Sequence, residues 1–130
     1  MATLFSRIVT GEIPAHKIAE NEDFLAFLDI NPLVMGHTLV IPKQEIDYIF
    51  DVPDDMLARM MTFSKEIGKS IEKSVECKRI GIAVIGLEVP HCHIHLVPLN
   101  EMDDINFTRP KLQPKQEDLK MMAEKIRSHM

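Results

Sequence analysis

At 130 residues, with 45% hydrophobic side chains and a formal net charge of −5, the chain has the size and apolar content of one folded domain, residues 1–130. The acidic balance argues against broad nucleic-acid binding, which needs clustered Lys and Arg to displace counterions; a mononucleotide stays open, because backbone N–H groups and a few side chains can hold one phosphate. No apolar run approaches the roughly 18 residues of a membrane span, the start Met1–Arg7 lacks a secretion-signal stretch, and Cys77 and Cys92 form neither a C-x-x-C pair nor a disulfide framework, so a reducing cytoplasm is expected.

Taken in chain order, Leu4–Val9 reads as a short helix or turn ended by the punctuation Thr10-Gly11-Glu12-Ile13-Pro14. Lys17–Ala19 and Phe24–Asp29, separated by the polar cluster Glu20–Asp23, read as an antiparallel hairpin. After Asn31-Pro32 the β-branched run His37–Ile41 predicts a third strand closing on Pro42. From Pro53 to about Glu76 the period changes to three and four: Pro53 suits a first helical position, Asp54 and Asp55 suit the positive end of the dipole, and Met56, Met60, Phe63, Ile67 and Ile71 form one apolar stripe. Methionines fill irregular core gaps, so Met56, Met60 and Met61 are expected to pack. Arg79–Ile85 and His93–Pro98 predict two more strands, residues 100–114 show no period, and Leu119, Met122 and Ile126 mark a last helix after Pro114. The order predicts an α+β domain with an antiparallel sheet of about five strands, one long crossing helix and a C-terminal helix.

His91, His93 and His95 alternate with Cys92, Ile94 and Leu96. On a strand alternate side chains share a face, so three imidazoles line one side over roughly 13 Å while the apolar trio enters the core. Six histidines occur in the chain and half stand within these five positions, a concentration that packing alone does not require. Three uses compete: a zinc site, since imidazoles two apart on a strand reach one ion; a solvated or hydrogen-bonded row without chemistry; and nucleophilic with acid–base work, for which neutral imidazole is suited at pH 7. The third explains the pattern best.

The segment Val89–Pro98 resembles the H-x-H-x-H signature of the histidine-triad (HIT) superfamily, and Leu4–Pro14, Phe24–Pro32 and Gly36–Lys43 are similar to the same family's N-terminal segments in the same order. The resemblance covers nearly the whole chain and is strongest to the small bacterial branch of nucleotide-binding and hydrolysing members. It implies a HIT-like fold and a nucleophilic middle histidine, His93, that attacks the α-phosphorus. His91 and His95 then orient or protonate, and His37 matches the family's earlier histidine and completes the relay. Neighbouring imidazolium charges repel, so the four are not all expected to be protonated at neutral pH. Asp29 matches the ribose-binding acid; Leu4, Phe5, Ile8, Phe27 and Ile30 correspond to the apolar walls around the base; the backbone N–H of Val89 is implied to face the phosphate.

The resemblance further implies a homodimer through the long helix and an adjacent strand, and a small-molecule nucleotide partner with no cofactor. The family's zinc-binding variants carry a cysteine pair near the N-terminus, whereas no cysteine precedes Cys77 here, so no metal is expected. One departure stands out. Relatives carry Gly-Gln-Ser/Thr-Val before the triad, and this chain has Gly86-Leu87-Glu88-Val89. Leu87 cannot donate the glutamine's hydrogen bond, and Glu88 brings negative charge near phosphate. The expected activity is therefore cleavage of a nucleoside phosphoramidate or dinucleoside polyphosphate, with the amine-bearing substrate favoured. The alternative is a nucleotide-binding sensor or interaction module with little catalysis.

Overall fold

The computed structural model describes residues 2–130. Helix α1 (Leu4–Val9) is followed by strands β1 (Lys17–Glu20), β2 (Phe24–Leu28) and β3 (Thr38–Pro42), helix α2 (Asp54–Ser74), strands β4 (Arg79–Ala83) and β5 (Ile94–Leu99), and helix α3 (Gln116–Arg127). The strands form one antiparallel sheet in the order β1-β2-β3-β5-β4, so the fold is α+β as expected. Two single-turn 3-10 helices, Ile49–Asp51 and Met102–Ile105, were not foreseen, since three or four residues carry no readable period.

At β2 and β3 both faces of the sheet are covered. On one side Phe24, Ala26 and Leu28 of β2, Val40 of β3 and Ile94 and Leu96 of β5 meet Met60, Phe63, Ile67 and Ile71 of α2 and Leu119, Ala123 and Ile126 of α3. On the other, Leu25 and Phe27 of β2 with Leu39 and Ile41 of β3 receive Phe5 and Ile8 of α1. This double burial explains why β2 and β3 read as continuous apolar runs where a half-solvated antiparallel strand would alternate.

Helix α2 begins one residue later than expected, with Pro53 as its extended N-cap and Asp54 and Asp55 in the first turn. Met60 is fully buried and Met56 packs at the core's edge, but Met61 is 43% exposed, a correction to its reading as core filler. Strand β4 stops at Ala83, short of the expected Ile85, and β5 runs Ile94–Leu99, one residue later at each end than expected. The cause lies in the backbone: the Cys92 N–H turns away to the Ile46 carbonyl at 2.6 Å, so the chain joins the ladder only from Ile94 onward.

Candidate active site

The third strand delivers His37 through a turn that only glycine fits. Gly36 has φ +98°, and a Cβ there would stand 2.9 Å from Val75 Cγ2 and 3.2 Å from Pro98 Cγ. Beyond the turn, Leu39 pairs with His95 across β3 and β5, which makes His37 the diagonal neighbour of His95 on the same face. His37 Nε2 consequently lies 2.9 Å from His95 Nδ1 in a buried contact.

Hydrogen-bond partners assign the tautomers. Leu33 N–H donates to His37 Nδ1 at 3.1 Å, so Nδ1 carries the lone pair and the proton of neutral His37 sits on Nε2. That N–H donates to His95 Nδ1, which leaves the His95 proton on Nε2. Burial, helped by neighbouring imidazoles, pushes His37 down to about 3 and His95 down to about 4, and it lowers His91 as well. The expectation that the four histidines avoid joint protonation takes a sharper form: three of them are neutral at pH 7 and act through N–H groups with fixed directions.

His93 is oriented by main chain. Its Nδ1 lies 2.7 Å from the His91 carbonyl, which can only accept, so the proton is on Nδ1 and Nε2 holds the lone pair. Phe5 of α1 meets the ring edge-on at a centroid distance of 5.0 Å, and the His95 ring follows at 4.8 Å. His91 itself is engaged at both nitrogens, Nε2 with the Pro42 carbonyl at 2.8 Å and Nδ1 with the Thr3 hydroxyl at 2.9 Å. Its link to the His93 ring runs through its carbonyl oxygen.

A cavity of about 700 Å³ opens beside these rings on the face opposite α2 and α3. Of the residues singled out from sequence, Leu4, Phe5, Ile8, Phe27, Asp29, Ile30, Val89, His93 and His95 line it, whereas His37 and His91 stand behind the wall. Phe5, Ile8 and Phe27 are buried, while Leu4 and Ile30 are about half exposed at the rim. Asp29 Oδ1 accepts from Asn31 N–H at 2.9 Å, which fixes the carboxylate just past β2, and Oδ2 stands 3.8 Å from His37 Nε2. Burial raises the Asp29 pKa, and the Asn31 hydrogen bond opposes the rise. Glu88 lines the cavity, but Leu87 is 88% exposed and does not.

Sequence reasoning missed the segment after β5. Phe107 covers the far side of His95 and His37, at centroid distances of 4.7 and 6.2 Å, and Lys111 lines the cavity. Arg109 holds the segment by donating to the Leu33 carbonyl at 2.6 Å and pairing with Asp103 at 3.2 Å. An irregular stretch gives no periodic signal. The alternation of Phe107, Arg109 and Lys111 around Pro110 was its one cue.

Asp29, His37 and His95 bring potential ligand atoms within 4.8 Å of one another. A cation at His37 Nε2 needs the ring proton on Nδ1, where it would oppose the Leu33 N–H. The donor set therefore fits a hydrogen-bond relay better than a metal.

The sequence and fold have counterparts among known proteins. The HIT domain model matches residues 10–102. A HIT-like protein of Methanocaldococcus jannaschii, MJ0866, is 40% identical over 111 residues, covering 77% of this chain and 81% of that one. The adenosine 5'-monophosphoramidase hnt1 of Schizosaccharomyces pombe is 32% identical over 130 residues, with 98% of each chain covered. Among solved structures, a HIT-like protein of Bartonella henselae, described as involved in cell-cycle regulation, superposes with a TM-score of 0.85 at 28% identity, covering 98% of this chain and 96% of that one. With the family model spanning well over half its length and a four-histidine cluster beside a cavity, the chain belongs to the HIT domain family.

Proposed function

We propose that this protein binds a nucleoside phosphate in the cavity and cleaves it at the α-phosphorus through a covalent nucleotidyl-histidine on His93. The observation that carries the reading is the His93 Nδ1 contact with the His91 carbonyl, which leaves Nε2 as the lone-pair nitrogen of a residue lining the cavity. In the first half-reaction Nε2 attacks phosphorus and the bond to the leaving group breaks. For a phosphoramidate the departing nitrogen takes a proton from solvent and leaves as an amine, and the water that attacks in the second half-reaction returns one proton to solvent. Water then attacks phosphorus, the P–Nε2 bond breaks, and the nucleoside monophosphate is released with His93 restored. His95 Nε2–H serves the phosphoryl oxygen or the leaving atom, His37 holds His95 in that tautomer, and His91 orients His93.

Asp29 Oδ2 is assigned to the ribose hydroxyls, since Oδ1 is already engaged by Asn31 N–H. Leu4, Phe5, Ile8, Phe27 and Ile30 are assigned to the base, which apolar walls hold by contact area, and the Val89 N–H to the phosphate. Glu88 beside the cavity favours an amine leaving group over a highly charged polyphosphate. The hnt1 relative, named an adenosine 5'-monophosphoramidase, supports the same substrate class. Glu88 also motivates the second reading, a nucleotide sensor with slow chemistry.

The test is direct. Incubation with adenosine 5'-phosphoramidate and quenching in alkaline denaturant, which preserves the acid-labile P–N bond, yields an adenylyl-protein that His93→Ala lacks; binding without turnover or adduct selects the sensor. A homodimer through α2 and β4 is proposed with it, because β4 is a sheet edge whose Ile82 is exposed beside the exposed Met61. A sedimentation mass of one chain, unchanged in Ile82→Lys, defeats that assignment. The site of action proposed is the cytoplasm, where Cys77 and Cys92 stay thiols; no helix of the described residues is long and apolar enough to cross a membrane.

A further inference from the structure

Thr3, Ser6 and Glu45 have no part in the chemistry above, yet they close around the first histidine of the triad. Thr3 is the N-cap of α1: its hydroxyl accepts from Ser6 N–H at 3.0 Å and lies 2.9 Å from His91 Nδ1. Glu45, from the loop after β3, accepts from Thr3 N–H at 2.9 Å and from the Ser6 hydroxyl at 2.6 Å. The cluster therefore ties three separate stretches of chain to one imidazole.

The His91 ring is fully buried, so both of its nitrogens need partners within the protein. Pro42 O only accepts, which puts the His91 proton on Nε2 and leaves a lone pair on Nδ1. A lone pair requires a donor. The Thr3 hydroxyl is nearest at 2.9 Å, and although it also lies 3.1 Å from Ser6 Oγ its one proton goes to this buried lone pair, because Ser6 Oγ is 3.4 Å away and spends its own proton on Glu45. Thr3 thus does two things with one oxygen, accepting from the helix and donating to the histidine.

We propose that Thr3 is a positioning residue for the nucleophile: by donating to His91 Nδ1 it locks the His91 ring between Pro42 and α1, and so fixes the carbonyl that holds His93 Nδ1–H. The inference rests on His93 being the nucleophile. It has a consequence for recognition, because the same six-residue helix carries Leu4, Phe5 and Ile8 into the cavity wall. A base pressing on that wall steadies α1, and through Thr3 and His91 it steadies the attacking ring. Base recognition and nucleophile orientation share one short element.

The experiment compares Thr3→Ser, Thr3→Asp and Thr3→Val, reading steady-state turnover of adenosine 5'-phosphoramidate together with histidine ¹⁵N shifts, which report the tautomer of each ring. Serine keeps both functions of the hydroxyl and retains wild-type kcat and a His91 signature of Nε2–H alone. Aspartate still caps α1 but cannot donate, so kcat falls about ten- to a hundredfold with KM little changed, and His91 leaves the single-tautomer pattern. Valine loses cap and donor together, so its larger effect measures the helix and the aspartate variant isolates the lock. A folded Thr3→Asp protein with wild-type kcat, or wild-type His91 protonated on Nδ1, overturns the proposal. A wild-type protein inert toward the phosphoramidate overturns the functional reading instead, and the His91 and His93 signatures of Thr3→Asp still decide the lock: unchanged, they sink it.

Discussion

His37 Nε2 donates to His95 Nδ1 across 2.9 Å although 58 residues separate them in the chain. Both rings are neutral in the folded protein because burial holds them at about 3 and about 4, whereas an unfolded histidine titrates near 6.5. Above pH 6.5 neither state binds the extra proton, and the full stability is present. Below it the unfolded chain takes up protons that the folded chain refuses, so stability is lost progressively as pH falls toward the folded values. Two such groups give a slope of about 2–3 kcal/mol per pH unit at its steepest. Urea midpoints between pH 7.5 and 4.5 measure it, and His37→Gln, with one titrating ring fewer, shows a shallower slope; equal slopes count against the assignment.

The turn that feeds His37 into β3 predicts a second effect. Alanine at Gly36 meets both a left-handed φ and the Val75 and Pro98 side chains, at 2.9 and 3.2 Å from its Cβ. Backbone strain of about 1–2 kcal/mol adds to overpacking of about 1–3 kcal/mol. Gly36→Ala is thus expected to lose about 2–5 kcal/mol by denaturant unfolding. Adding Val75→Ala removes the nearer clash and recovers that share of the steric part, while the Pro98 contact and the φ strain persist; full recovery would mean that the φ value carries no strain.

Strand alternation singled out His91, His93 and His95, whereas His37 and Asp29 were named only through the resemblance to the HIT family's N-terminal segments; the structure sets His37 against His95 and Asp29 beside His37. Alternation also put His91, His93 and His95 on the face opposite Cys92, Ile94 and Leu96, even though regular pairing begins only at Ile94. What stayed hidden depends on contacts distant in sequence. Nothing local announces that Cys92 N–H will bond Ile46, that Thr3 will cap a helix and reach His91 at once, or that Phe107 will fold back over His95. Leu87, read as a lost donor, and Glu88, read as an added charge, are adjacent in sequence, and only the path of the chain shows that Glu88 lines the cavity while Leu87 does not.

Glu88 lends itself to a specificity test. A carboxylate at the cavity wall repels a polyphosphate leaving group and attracts an amine, so Glu88→Gln shifts kcat/KM toward dinucleoside polyphosphate over phosphoramidate. An interaction of about 1 kcal/mol corresponds to roughly a fivefold change in that ratio. Parallel assays of both substrates measure it, and they require no absolute rate. An unchanged ratio removes Glu88 from leaving-group selection.

Phe107 makes the neutrality of the relay a property that one side chain can change. Its ring lies 4.7 Å from the His95 ring and 6.2 Å from that of His37, covering them where the irregular segment folds over the site. Phe107→Ala admits water there, and because burial is the largest cause of the depressed His95 value, that value rises from about 4 toward the ordinary range by about one unit or more. Protonation of His95 occurs first at Nδ1, the nitrogen that accepts from His37, so the relay breaks as the ring charges. The acid limb of activity therefore moves to higher pH in Phe107→Ala while the rate on the alkaline side changes little. Proton NMR titration of His95 beside a kcat profile from pH 4 to 8 tests both halves together. A risen His95 value with an unmoved acid limb would separate the relay from catalysis, and an unmoved His95 value would show that Phe107 is not what keeps the ring dry.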